Sequence, residues 1–296
     1  MILVAGATGL VGGMIARGLL AKGTPVRVLV RDGSDHRAFI EAGAQTVLGD
    51  LKSPSSLERA VSEVDVIITT ASAGQRGGAD TPISVDLEGN QHLITAAHKA
   101  GVRQFIYISA LTATVDSPVL VPRAKALTEV TLRESGLTFT ILAANGIMDV
   151  MLPIVIETPL NAGKPVTLVG EGRRRHSFVA ARDIAAFAIA VVDHPKALNN
   201  KIPVVGPEAV TWLDIVAEYD RQIGGGRETP VRFVAPGELL PDLPPVPGLT
   251  EFVSGLLAAL DSFDTPTDSG ETAATFGVTH TTLEAFVAVR IPELTR

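Results

Sequence analysis

Residues Ile2-Leu3-Val4-Ala5-Gly6-Ala7-Thr8-Gly9-Leu10-Val11-Gly12 decide the fold, because an apolar run turns at a glycine and passes directly into a helical pattern. Each glycine there has its own task. Gly6 makes the tight turn, Gly9 lets backbone approach a pyrophosphate, and Gly12 permits close packing of helix on strand. The amides from Thr8 to Val11 then face phosphate at the positive end of the helix dipole. Gly6, Thr8, Gly9, Leu10, Val11 and Gly12 are the expected pyrophosphate contacts. A βα turn that binds nothing is the plainer alternative, since glycine serves such turns too.

Outward from this turn, short apolar runs alternate with helix-length segments, the pattern of βαβ units on a parallel sheet. The runs fall at 1–5, 26–30, 45–48, 64–70, 104–108 and 138–142, and the amphipathic segments at about 11–22, 34–42, 54–62, 83–100 and 122–135. Ser53-Pro54 reads as a helix cap and first turn; Gly23, Gly101 and Gly136 read as stops. The expectation is an α/β chain: a Rossmann doubly wound parallel sheet over 1–145, then a smaller mixed C-terminal substrate lobe over 146–296, with about 177–205 returning to the core. In the second half, strands are expected at 165–169 and 177–179 and a helix at 182–192. Capping boxes are expected at Thr211 to Asp214 and Thr281 to Glu284. Segment 241–248, with four prolines, should be a rigid loop before the apolar helix 249–261.

Composition narrows the functional classes. A formal net charge of −7 with 19% charged residues fits an acidic soluble protein and argues against a nucleic-acid grip. The chain has no cysteine, so thiolate nucleophiles, disulfides and cysteine metal sites are excluded. No stretch approaches the roughly 20 apolar residues of a membrane span. The N-terminus reads as a strand rather than a signal peptide, so a cytoplasmic location is the default expectation. The six histidines show no metal spacing. Arg173-Arg174-Arg175-His176 reads as a solvated hairpin tip, with an anionic substrate or a second subunit of a homodimer as alternatives.

Cofactor choice turns on the end of the second strand, where NAD proteins place a carboxylate for the ribose 2′-hydroxyl. Here the residue is Arg31. A guanidinium there pairs with a 2′-phosphate and Arg37 is placed to assist, so NADP(H) is expected over NAD; a solvated arginine beside Asp32 is the alternative. Asp50 and Leu51 follow the third strand, with Asp50 either accepting from the adenine amino group or exposed in its loop. Thr70, Ala71, Ser72 and Ala73 end the fourth strand against the cofactor.

Gly6 to Gly12, Leu29-Val30-Arg31, Gly49-Asp50, Ile106-Tyr107-Ile108-Ser109, Lys125 and Ser135 to Leu142 together resemble the atypical short-chain dehydrogenases of the NmrA-like group. Phe178-Val179 and Asp183-Ile184-Ala185 extend the likeness. Within that group the layout is similar to NADP(H)-dependent quinone reductases and triphenylmethane-dye reductases. The resemblance implies an oxidoreductase in which Lys125 holds the nicotinamide ribose.

Short-chain dehydrogenases carry Tyr-x-x-x-Lys, since positions four apart share a helix face and the lysine lowers the tyrosine's pKa. Here Val121 stands four residues before Lys125. Reducing a simple ketone needs a proton donor as the alkoxide forms, whereas a quinone, enone or cationic dye disperses the added charge and takes its proton from water. The expected small-molecule substrate is therefore a conjugated electrophile, and the rival is a non-catalytic NADP(H) sensor acting through a partner protein. Ser109 either touches nicotinamide or substrate or caps its strand end. The family's usual Arg-Pro after the sixth strand is replaced by Ala143-Ala144-Asn145: the alanines would leave room for nicotinamide and Asn145 would bond its carboxamide or the substrate, or the three form a simple turn. Met148, Met151 and Leu152 either line an apolar pocket or pack a core.

Overall fold

The computed structural model describes residues 1–73, 78–241 and 249–294. In chain order its strands and α-helices begin with β1 (Ile2–Ala5), α1 (Leu10–Ala21), β2 (Val26–Val30), α2 (Arg37–Glu41), β3 (Gln45–Leu48) and α3 (Pro54–Val61). There follow β4 (Val66–Thr69), α4 (Glu88–Lys99), β5 (Gln104–Ala110), α5 (Leu120–Glu134) and β6 (Phe139–Ala144). The second half contributes α6 (Met148–Leu152), α7 (Thr158–Asn161), β7 (Val166–Val169), α8 (Ala181–Ala190), β8 (Asn200–Val204) and α9 (Trp212–Ile223). It ends with β9 (Val231–Val234), α10 (Leu249–Asp261), α11 (Gly270–Phe276) and α12 (Leu283–Leu294).

Seven strands form one sheet in the order β3-β2-β1-β4-β5-β6-β8, with every pairing parallel. The order reverses beside β1, which is the Rossmann-like arrangement. The sheet lies in the first of two compact units, Met1–Ala144 with Ala181–Val204 and Ala274–Val278. Helix α1 packs with α8, while α3, α4 and α5 pack in succession. Leu3, Ile15, Leu57, Ile67, Ile68, Leu93 and Ile106 are almost wholly buried, each worth about 1.5–3 kcal/mol on leaving water.

The second unit, Asn145–Ala180, Val205–Ala273 and Thr279–Arg296, has its own apolar core. Met148, Met151 and Leu152 are buried in it with Trp212, Tyr219, Leu257 and Val287, so core packing is their use. Its two-stranded sheet pairs β7 with β9 in parallel. Helix α9 opens with the expected capping box: Thr211 Oγ1 accepts from the Asp214 amide at 3.0 Å and Asp214 Oδ2 from the Thr211 amide at 2.8 Å.

Several local expectations are corrected. Ser53 is the N-cap of α3 but makes no side-chain cap bond; Ser56 Oγ instead donates to the Ser53 carbonyl. At the last helix Thr282 Oγ1 accepts the Ala285 amide, and Glu284 reaches Arg221. Residues 177–179 form no strand: Val179 makes an isolated bridge with Ile147, and the neighbouring His176 makes isolated bridges with Val210 and Thr265. The segment expected as one helix from 83 begins as a π-helical turn, Pro82–Leu87, before α4. Of the proline-rich stretch 241–248, residues 242–248 lie outside the described residues. Strands β8 and β9 were not expected. Pro203 sits in β8 at the sheet edge, the position in a sheet where proline is tolerated, and it breaks the sequence pattern of a strand.

Candidate cofactor-binding site

The glycine turn joins β1 to α1 under tight steric limits. Gly6 has φ +87°, and a Cβ there would lie 2.6 Å from Thr70 Oγ1. A Cβ on Gly12 would lie 2.2 Å from the Gly6 carbonyl oxygen, so helix and turn meet backbone to backbone. Gly9 differs: at φ −88° it is the N-cap of α1, and the nearest atom to a Cβ there is the Gly6 oxygen at 3.3 Å. Thr8, Gly9 and Leu10 are exposed, and no side chain caps the helix. The amides of Leu10, Val11 and Gly12 are the donors that helix geometry leaves without intrahelical acceptors. This cradle fits a dinucleotide pyrophosphate, with a tight but relievable backbone contact over Gly9 and no room at all over Gly12.

A shallow depression runs from this turn along the sheet's C-terminal edge. Gly6, Thr8, Arg31, Asp50, Leu51 and Ala71 line it, together with Asp80. Six of the residues expected from sequence thus converge. Arg37 does not join Arg31 there. As the first residue of α2 its guanidinium folds back on Asp35, at 3.0 Å, and lines a separate concavity with Thr8, Gly9, Leu10 and Arg17. The Arg37 hydrogen bonds hold the exposed Asp35 carboxyl down at about 2.

Two site residues were not foreseen. Asp80 Oδ2 lies 2.6 Å from Arg31 Nη1 and Asp80 Oδ1 lies 2.5 Å from Lys52 Nζ. Asp50 turns its own loop, Oδ1 accepting the Lys52 amide at 2.8 Å. Nothing in the spacing of Lys52 or Asp80 announces their meeting, which long-range folding alone creates.

The segment after β4 is pinned from below. Thr70 donates its amide to the Ala5 carbonyl at 3.0 Å. Ala73 donates to Asp86 Oδ2 at 2.9 Å, and Asn90 Nδ2 reaches the Ala71 carbonyl at 3.4 Å. Ser72 lies between them, half-buried. Asp86 has no exposed surface, and its Oδ1 lies 3.6 Å from Lys125 Nζ. Lys125, on α5, also donates to the Ile108 carbonyl at 3.1 Å and sits 5.3 Å from the centre of the Tyr107 ring. Val121 precedes it on the same helix.

Ser109 is buried in β5 and donates to Glu129 Oε1 at 2.5 Å; Arg133 and Lys201 hold the same carboxylate. Ala143 and Ala144 are buried in β6 against β8. Asn145 belongs to the second unit, where its Nδ2 donates to the Ser177 carbonyl and Thr265 Oγ1, each at 3.0 Å.

Neither tyrosine is built as an acid for neutral pH. Burial, with Asp86 nearby, pushes the Tyr107 phenol far up. Burial and a 2.7 Å hydrogen bond to Glu157 do the same to Tyr219, and Arg290 grips that glutamate from α12. Among the described residues no helix is long and apolar enough to cross a membrane.

Comparison with known proteins places the chain in a family. The chain is 33% identical over 236 residues to an NAD(P)H azoreductase of Xenophilus azovorans, covering 79% of this chain and 77% of that one. It is 33% identical over 223 residues to a photosystem II assembly factor of Cyanophora paradoxa, covering 75% and 68%. Among solved structures, an NADPH-dependent quinone oxidoreductase of Escherichia coli complexed with NADPH superposes with a TM-score of 0.80 at 22% identity, over 100% of both chains. The model of the NmrA-like family matches residues 1–287, and the chain belongs to that family.

Proposed function

We propose that the protein is an NADPH-dependent reductase that delivers hydride to a quinone-like or other conjugated electrophile. The observation that carries this reading is the pairing of Val121 with a fully engaged Lys125 on one helix: the lysine is kept while the phenol that would protonate an alkoxide is gone. The azoreductase and quinone oxidoreductase relatives support the acceptor class, since azo and quinone groups both accept hydride into a conjugated system.

In this reading the bound nicotinamide supplies the hydride, and the chain supplies position and charge. The amides of Leu10, Val11 and Gly12 receive the pyrophosphate. Arg31 receives the 2′-phosphate, and Asp50 faces the adenine end of the depression. Lys125 places the nicotinamide ribose, oriented by Ile108 and Asp86. Ser109 acts at a distance, fixing the end of β5 through Glu129. The reduced acceptor's anion takes its proton from water.

A second reading, an NADP(H)-binding regulator that acts through a partner protein, is favoured by the similarity to an assembly factor. An acceptor screen separates the two. Consumption of NADPH with benzoquinone, naphthoquinone, azo or triphenylmethane dyes supports the reductase. Tight NADPH binding without turnover on any of them supports the regulator.

A further inference from the structure

Three ionic side chains from three different loops meet beside the depression, two of them, Arg31 and Asp80, in its lining. Arg31 follows β2, Lys52 follows β3, and Asp80 lies between β4 and the π-helical turn. The two cations converge on the two oxygens of one carboxylate, at 2.6 and 2.5 Å. The carboxylate is largely buried, with 9% of its side chain exposed, whereas Arg31 and Lys52 keep 39% and 31%. Burial raises the Asp80 carboxyl, but the hydrogen bonds from Lys52 and Arg31 outweigh it and bring it below the usual range. Asp80 therefore stays ionised and sits in the pair of cations as an oxyanion.

We propose that Arg31 and Lys52 form a two-cation site for a phosphate monoester and that Asp80 is its tethered resident anion, which the 2′-phosphate of NADP(H) displaces on binding. The inference deepens the cofactor reading above and rests on it. Two converging cations suit a dianionic phosphate better than a single guanidinium does, because each can bond a separate oxygen while the charges balance. Asp80 pays out no such benefit to a cofactor with a bare ribose hydroxyl. Its cost falls selectively on the phosphorylated cofactor, whose apparent affinity is lowered by the fraction of molecules in which the carboxylate holds the site. On dissociation the carboxylate recaptures both cations, which speeds release of oxidised cofactor. Asp80 is thus a determinant of both cofactor choice and off-rate, and Lys52 is a phosphate ligand.

Calorimetric titration of the full chain with adenosine 2′,5′-bisphosphate and with adenosine 5′-monophosphate tests this without turnover. Asp80→Asn should tighten the bisphosphate about fivefold or more and slow NADP+ release, while leaving the monophosphate within about twofold. Lys52→Met should weaken the bisphosphate about tenfold, and its effect should be larger in the Asp80→Asn background, where no carboxylate competes. The Lys52 arm stands even where Asp80→Asn lowers stability. Weaker monophosphate binding in Asp80→Asn would assign the carboxylate to the ribose hydroxyls and overturn the proposal. So would unchanged bisphosphate binding in both variants while the natural protein prefers the bisphosphate and Arg31→Ala abolishes that preference. If the natural protein binds both nucleotides equally, it is the underlying NADP(H) reading that fails.

Discussion

The buried carboxylate of Asp86 ties two parts of the nucleotide site together: its Oδ2 accepts the Ala73 amide at 2.9 Å while its Oδ1 faces Lys125 Nζ at 3.6 Å. One side chain thereby sets the path of the chain after β4 and the position of the only lysine on α5. Removing one member of such a buried pair leaves an uncompensated charge, which costs about 3–5 kcal/mol. Lys125→Met should lower stability by that order, and Asp86→Asn, which keeps an acceptor for Ala73, by less. The double variant should be clearly more stable than the sum of the single losses. A urea-unfolding cycle measures the coupling, and strict additivity would show that the two charges do not interact.

The glycine turn predicts opposite outcomes at two neighbouring positions. Gly12→Ala forces a methyl to 2.2 Å from the Gly6 oxygen, so it should unfold the chain or sharply lower its Tm. Gly9→Ala meets backbone at 3.3 Å and has an ordinary φ, so it should fold nearly normally and lose NADPH affinity by about tenfold or more. Thermal unfolding and fluorescence titration on the two variants check both halves.

Much of the first unit was legible from these same residues. Gly6 and Gly12 each answer a local steric demand, and the β1–α1 pattern is contiguous in sequence, so turn, strand and helix could be read together. Arg31 was legible because the second strand's end is a fixed place in the topology. Asp80, Lys52 and Asp86 were not, because their roles arise from contacts across 28, 49 and 39 residues that no periodicity encodes. Arg37 departs from expectation for the opposite reason: Asp35, only two residues before it, holds its guanidinium, so it lies beside the glycine turn and apart from Arg31. The proline in β8 hid an edge strand, and a capping motif at Thr281 was legible to within one residue of where the bond forms.

Arg31 should decide cofactor preference. NADPH is expected to bind at least tenfold tighter than NADH, about 1.4 kcal/mol, and Arg31→Ala should erase most of that difference while leaving NADH nearly unaffected. Equal affinities in the natural protein would remove the 2′-phosphate from the account.

Tyr219 serves structure and not proton transfer. Tyr219→Phe removes a donor from Glu157, which Arg290 still holds, so stability should fall by about 1–3 kcal/mol while the pH profile of turnover keeps its shape. Loss of turnover with stability intact would make Tyr219 the acid.

His176 gives the fold a pH dependence. Burial lowers its pKa below the usual 6.5, and its Nδ1 lies 2.7 Å from Thr265 Oγ1. The unfolded chain therefore takes up this proton first. The contribution is fully present above about pH 6.5 and is lost as pH falls toward and through the folded-state value, with a slope of at most about 1.4 kcal/mol per pH unit. His176→Asn should flatten that part of the stability curve; an unchanged curve would place the dependence elsewhere.

The absence of a phenol four residues before Lys125 is the centre of the functional account, and the rate of NADPH oxidation by the natural protein with benzoquinone and with cyclohexanone tests it most directly. Turnover is expected on the quinone and almost none on the ketone, with loss of quinone turnover together with weaker NADPH binding in Lys125→Met. Reduction of the ketone at a rate comparable to the quinone would contradict this, since such a rate requires a proton donor where Val121 stands.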